Sequence, residues 1–188
     1  MRIARPRVTM PTVRSLFLVG MMGSGKTTVG RRIAEDRGLR FVDLDERLEL
    51  IFGKAIADIV REGEPRFRRL ERAVLQHFLT DPGFELAGPW VVATGGGIVT
   101  DPENVRDMQR VGTVVYLDVD IDELARRVGD DPARPLLAGD ASAVRTLARI
   151  FAERRDAYEK AGQAIDGNGD PGEVARRVVE VWTPSHTP

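Results

Sequence analysis

Gly20-Met21-Met22-Gly23-Ser24-Gly25-Lys26-Thr27 has the spacing G-x-x-x-x-G-K-S/T, a spacing suited to polyphosphate. Glycines leave room for successive backbone N–H groups to turn inward on phosphate oxygens. A helix starting at the loop aims its positive end at the same point. Lys26 adds a full charge for the β- and γ-phosphates, and the Thr27 hydroxyl is a hard oxygen suited to Mg²⁺. Thr28 follows, within reach of the α-phosphate. The rival reading is a glycine-rich turn with no ligand. The position of the motif, after an apolar strand and at the start of a helix, argues against it.

Two carboxylates come next. Asp43 and Asp45 stand two apart at the end of the stretch Arg40–Leu44. In an extended chain they share a face and leave the sheet beside the phosphate loop, where a cation or a hydroxyl substrate would satisfy them. Asp45 also precedes Glu46-Arg47-Leu48-Glu49 and is suited to cap a helix there. The residues leave both readings open. Further on, Phe67, Leu70 and Val74 mark the inner face of a helix, and Glu71, three after Arg68, is spaced to hold its guanidinium. A positioned arginine binds a carboxylate in bidentate fashion; a solvated ion pair is the plainer reading of the same two residues. Gly95, Gly96 and Gly97 follow the apolar run Trp90–Thr94. Three glycines in a row add backbone entropy to be lost on folding, which makes sense where backbone must come close to a ligand.

The elements that must hold these groups alternate between strand and helix. Strands are predicted over Ser15–Val19, Arg40–Leu44, Trp90–Thr94, Thr113–Leu117 and Gln163–Asp166. Helices are predicted over 25–37, 45–52, 55–61, 64–79, 102–110, 121–128, 142–160, with Ser142 as cap, and 173–182. Five strands alternating with helices imply an α/β fold of three layers, a parallel sheet with helices on both faces. In such sheets ligands bind beyond the carboxyl ends of the strands, and the phosphate loop, Asp43, Asp45 and the triplet all fall there. Gly129–Asp140 holds two glycines, two prolines, three acids and Arg134 without helical or strand period, as expected of a mobile loop.

Composition narrows the function classes. The 188 residues suit one domain, here taken as 15–182, with disordered ends over 1–14 and 183–188. Lys and Arg number 28 and Asp and Glu 29, a net charge of −1. The chain therefore has no general attraction to nucleic acid or an anionic membrane, and any anion site is a local cluster. Without cysteine there is no disulfide or thiolate chemistry, and two histidines do not supply the usual zinc sets. A Ser–His–Asp triad is not expected either, since His77 falls inside a helical pattern and His186 lies in the tail. Residues 1–14 carry Arg2, Arg5, Arg7 and Arg14 but lack the apolar run of a secretory signal. No stretch approaches the ~20 apolar residues of a transmembrane helix. A cytoplasmic monomer is the expectation.

Taken together, the motifs resemble the shikimate kinase family from about Leu16 to Trp182. They are GMMGSGKTTVG at Gly20–Gly30, FVDLDE at Phe41–Glu46, GEPRFRRLE at Gly63–Glu71, VVATGGG at Val91–Gly97, RPLL at Arg134–Leu137 and RRDAY at Arg154–Tyr158. The phosphate loop alone specifies a nucleotide binder; the full set is far more specific. The resemblance implies a P-loop kinase fold with a mobile lid at about 129–140 and a helical substrate-binding segment within about 45–79. It implies transfer of the γ-phosphate of ATP, with Mg²⁺, to the 3-hydroxyl of shikimate in aromatic amino acid biosynthesis.

By motif, Gly23, Ser24, Gly25, Lys26, Thr27, Thr28, Arg127 and Arg134 would bind the nucleotide, Arg127 against adenine with the 166–171 loop beside it. Asp45, Arg68, Gly95, Gly96, Gly97 and Arg154 would bind the acceptor, with Arg68 and Arg154 on its carboxylate. Lys26, Asp45 and Arg134 would be catalytic, Asp45 taking the proton of the attacking hydroxyl. Thr27 would hold Mg²⁺, and Asp43 would act on it through water. The Arg154 segment departs from the family's R-x-P-L-Y. A spacing of four from Tyr158 selects Arg154, with Arg155 as the alternative. A kinase for another hydroxyl substrate, such as gluconate, would share the loop without needing both arginines and the triplet. A regulatory nucleotide binder would be free to lose Asp45 or Arg134.

Overall fold

The structure is a computed structural model that describes residues 14–86, 88–129 and 141–182. The expected lid beyond residue 129, with Arg134, and the terminal segments 1–13 and 183–188 lie outside the described residues. β1 (Ser15–Val19) leads into α1 (Lys26–Arg37), β2 (Arg40–Asp43) and four helices, α2 (Leu44–Phe52), α3 (Ile56–Arg61), α4 (Glu64–Thr80) and α5 (Pro82–Leu86). β3 (Trp90–Ala93) is followed by a 3₁₀ turn (Ile98–Thr100), α6 (Pro102–Val111) and β4 (Gly112–Asp118). Then come α7 (Ile121–Gly129), α8 (Ala141–Ala161), β5 (Gln163–Asp166) and α9 (Pro171–Trp182).

The five strands pair in parallel in the order β2-β3-β1-β4-β5. All of β1 is buried, as a central parallel strand covered on both faces must be. Its alternating side chains divide the core. Phe17 and Val19 join a layer with Leu48, Phe67, Leu75 and Met108, from α2, α4 and α6. Leu16 and Leu18 join the opposite layer with Ile33 of α1 and Val178 and Trp182 of α9. Each such buried side chain stabilises the fold by about 1.5–3 kcal/mol. Because the strands run the same way, the residues after each strand emerge at one edge, and the phosphate loop follows the central one.

Differences from the expected elements fall at their ends. β2 stops at Asp43, not Leu44, because the Asp43 carboxylate caps α2: Oδ1 accepts from the N–H groups of Asp45 (2.9 Å) and Glu46 (3.3 Å). The cap is therefore Asp43, and Asp45 sits in the first turn of a helix instead of on an extended face. α8 begins at Ala141, so Ser142 lies inside it. The single-turn helix α5 and the 3₁₀ turn are too short to show a period.

Candidate active site

The phosphate loop joins β1 to α1. Gly20, Gly23 and Gly25 have φ of 147°, 80° and 89°, a region that side-chain-bearing residues rarely adopt. Close packing adds a second demand: a Cβ at Gly23 would meet Val128 of α7 at 2.7 Å. Lys26 opens α1 and is buried. Its ammonium donates to the carbonyls of Gly20 (2.9 Å) and Met21 (2.8 Å) and to Ser24 Oγ (3.4 Å). The charge is thus held across the hollow of the loop. Thr27 Oγ1 donates to Asp43 Oδ2 at 2.6 Å, so one aspartate caps α2 with one oxygen and holds the phosphate-loop hydroxyl with the other. Thr28 is exposed and lines a groove of about 480 Å³ with Arg31, Arg32, Asp170 and Pro171.

Arg127 lies over this loop from α7. Its guanidinium donates to Glu123 (2.6 Å) and to the carbonyl of Gly167 (3.4 Å), and a Cβ on Gly25 would stand 3.8 Å from it. Hydrogen bonds from Arg126 and Arg127 hold the Glu123 carboxyl down to about 2. Arg127 therefore spans the phosphate loop and the β5–α9 turn, the two segments expected to meet on the nucleotide side.

The second half of the site is built around the glycine triplet. Thr94 ties it to the central strand, donating both its N–H (3.2 Å) and its hydroxyl (2.9 Å) to the Leu18 carbonyl. None of the three glycines has positive φ, so conformational freedom is not what the triplet supplies. A Cβ on Gly95 would overlap Glu71 Oε1 and come within 2.7 Å of Asp45 Oδ1. On Gly97 it would fall on the Arg68 guanidinium, and on Gly96 it would stand 3.2 Å from the Met22 nitrogen. Absent side chains thus let Asp45, Glu71 and Arg68 close on the loop while the loop lies against the phosphate-binding backbone.

Arg68 and Arg154 converge there from different helices. Arg68 of α4 donates to Glu71 Oε2 at 2.8 Å and to Glu64 Oε1 at 3.1 Å. Arg154 of α8 donates to the Gly96 carbonyl at 3.2 Å, and its other nitrogen lies 3.9 Å from that same Glu64 oxygen. Arg155, by contrast, points away: its side chain is 60% exposed and pairs with Glu159. Burial opposes the charge of Arg68, but Glu71 and Glu64 more than offset this and raise its pKa. Burial pushes the Glu71 carboxyl above its usual range, with the Arg68 charge pulling the other way. Glu71 Oε1 is buried without a hydrogen-bond partner, on the side facing Gly95 and Asp45.

Glu64 was not singled out in the sequence, although its i, i+4 spacing to Arg68 is a readable signal. Tyr158, used there only as a spacing marker, also reaches the triplet. Arg134 lies outside the described residues.

Substituting Gly97→Ala tests the packing of the triplet. The Arg68 guanidinium must move while the backbone, at φ −114° and ψ 0°, accepts alanine. The expected result is a KM for the acceptor raised about ten-fold, as for the loss of one charged hydrogen bond, with a melting temperature within a few degrees of the parent. An unchanged KM would show that Arg68 does not need this glycine.

The central phosphate loop and the parallel sheet with helices on both faces define a P-loop kinase. The family model for shikimate kinase matches residues 22–183. A shikimate kinase from Synechococcus elongatus is 44% identical over 169 residues, covering 88% of this chain and 85% of that protein. One from Persephonella marina is 39% identical over 169 residues, covering 89% of this chain and 98% of its own. The structure superposes on shikimate kinase from Acinetobacter baumannii in complex with shikimate with a TM-score of 0.80 at 32% identity, over 90% of this chain and 93% of that one. The chain belongs to the shikimate kinase family.

Proposed function

We propose that the chain transfers the γ-phosphoryl group of ATP to the 3-hydroxyl of shikimate, giving shikimate 3-phosphate. The observation that carries this reading is the Glu64 carboxylate lying between Arg68 and Arg154 beside the glycine triplet. Two arginines from separate helices already share a carboxylate oxygen, and an acceptor carboxylate takes the same position. Asp45 and the unpartnered Glu71 oxygen next to it supply acceptors for hydroxyl groups. The acceptor is thus defined as a carboxylate that also carries hydroxyls.

The nucleotide phosphates lie in the loop Gly20–Thr27 against Lys26, with the base between Arg127 and the β5–α9 turn. Asp45 receives the proton as the acceptor oxygen bonds to the γ-phosphorus and the bond to the bridging oxygen breaks. Transfer of this kind rests on positioning and charge more than on covalent chemistry by the protein. The hydroxyl of Thr27 and the carboxylate of Asp43 are hard oxygen donors that fit Mg²⁺, which binds few protein ligands and keeps several waters. Thr27 would hold it directly and Asp43 through water. When bound, the ion neutralises charge on the β- and γ-phosphates. Arg134 brings a further positive charge to the transferring group. Among the described residues no helix is long and apolar enough to cross a membrane. We read the working unit as a monomer and place it in the cytoplasm, where ATP is at hand, without nucleic acid or membrane partners, since a net charge of −1 gives no general attraction to either.

A phosphorylation assay with shikimate, its methyl ester and gluconate tests the assignment. Shikimate is expected to be preferred by orders of magnitude and the ester to fail. Arg68→Ala should raise the KM for shikimate about 10²-fold, within the range for losing a buried charge partner, and leave the KM for ATP near its parent value. An ester as good as the acid, or an unchanged KM in Arg68→Ala, would sink the arginine pocket and the substrate with it.

A further inference from the structure

Tyr158 takes no part in the chemistry above, yet it is fully buried and touches the triplet, the phosphate loop and β4. Its hydroxyl donates to the Gly96 carbonyl, the acceptor that Arg154 also uses. The same hydroxyl stands 3.5 Å from Met21 Sδ in the phosphate loop. Its ring stacks on Tyr116 of β4, with centroids 5.0 Å apart and planes 8° from parallel. The Tyr116 hydroxyl in turn donates to Asp118 at 2.8 Å. A ring so clamped holds its hydroxyl at one point. Burial pushes the Tyr158 phenol up to about 12, against the charge of Arg154 and a hydrogen bond from it, which both lower it, so it remains a donor throughout the neutral range.

The Gly96 carbonyl therefore has two donors from one face of α8, four residues apart. They are not equivalent. Arg154 has further N–H groups and a second neighbour in Glu64, whereas Tyr158 is fixed by its stack. If Arg154 turns to an acceptor carboxylate, the carbonyl loses one donor and keeps the other. Without the tyrosine hydroxyl, the same movement would leave a half-buried carbonyl with no protein partner, which carries a desolvation cost. Arg154 would then be retained on the protein in competition with the substrate.

We propose that Tyr158 is a positioning residue for the acceptor: its hydroxyl holds the Gly96 carbonyl so that Arg154 is released to bind the substrate carboxylate. This rests on the reading of Arg154 as a carboxylate ligand. It predicts an effect on acceptor binding, not on ATP, and an effect that exists only while Arg154 is present.

The test is a double-mutant cycle with Tyr158→Phe, Arg154→Ala and the double variant, measured with full-length protein, shikimate and ATP. Tyr158→Phe keeps the ring and its stack. It is expected to raise the KM for shikimate about ten-fold, as for one buried hydrogen bond, with the KM for ATP unchanged and the melting temperature within a few degrees. In the Arg154→Ala background the same change should alter the shikimate KM less than about two-fold, the coupling expected of residues that share a partner. Tyr116→Phe, which removes a hydroxyl from the same stack but leaves Tyr158 intact, should leave the shikimate KM unchanged. An unchanged KM in Tyr158→Phe overturns the proposal, as do effects that multiply in the double variant or an equal rise in Tyr116→Phe. If Arg154→Ala alone leaves the shikimate KM unchanged, the carboxylate assignment itself falls, an outcome distinct from failure of Tyr158 alone.

Discussion

Lys26→Ala is expected to lower kcat about 10³-fold or more while the fold persists. The ammonium is buried at the first position of α1 and lies across the phosphate loop, 2.8–2.9 Å from two of its carbonyl oxygens. A charge fixed in a site of low polarity acts on the transferring phosphoryl group more strongly than the same charge in water. No other lysine is near in sequence, since the next is Lys54. The loop does not depend on Lys26 for its path, because that path is set by the positive φ of Gly20, Gly23 and Gly25. Steady-state kcat with saturating substrates, together with a thermal melt, checks this. A folded alanine variant that turns over within ten-fold of the parent would remove Lys26 from the chemistry.

Asp45→Asn should reduce kcat by about 10²–10⁴-fold, the usual contribution of a positioned general base. The amide can still accept a hydrogen bond from a hydroxyl, so the KM for shikimate should change less than kcat. What it cannot do is take the proton. Loss of structure is not expected to confuse the result, since the cap of α2 is Asp43 and not Asp45. The neighbouring Glu71 carboxyl, already above its usual range through burial and raised further by the Asp45 charge, should return toward ordinary acidity in the variant. A kcat within three-fold of the parent would assign the proton to another group.

Much of the architecture was legible from short-range rules. The apolar run Ser15–Val19 is a strand and the short expected strand Gln163–Asp166 keeps its bounds, and α1, α2 and α4 start within a residue of their expected positions. Gly38 and Gly53 end their helices in the left-handed conformation, which is why glycine there is readable. The phosphate loop was the clearest signal, because its chemistry uses backbone geometry and one lysine, all within eight residues.

The acceptor side was only partly legible, since it assembles from segments far apart in the chain. Successive helical residues differ by about 100° in direction, so of Arg154 and Arg155 only one can face the triplet, and packing of α8 against the sheet chose Arg154. Asp43 and Asp45 offered the same chemistry on paper; the break between β2 and α2 gave the cap to the first and the triplet to the second. The triplet itself is small to admit side chains from α2 and α4, a requirement that exists only once those helices are docked. The sequence by itself determined the sheet, the phosphate loop and the candidate residues, because each is encoded by neighbours. Tertiary structure alone decided which carboxylate faces the triplet and which arginine turns inward. Those choices depend on segments far apart in the chain, such as Arg154 and Gly96, 58 residues apart, brought together where the strands end.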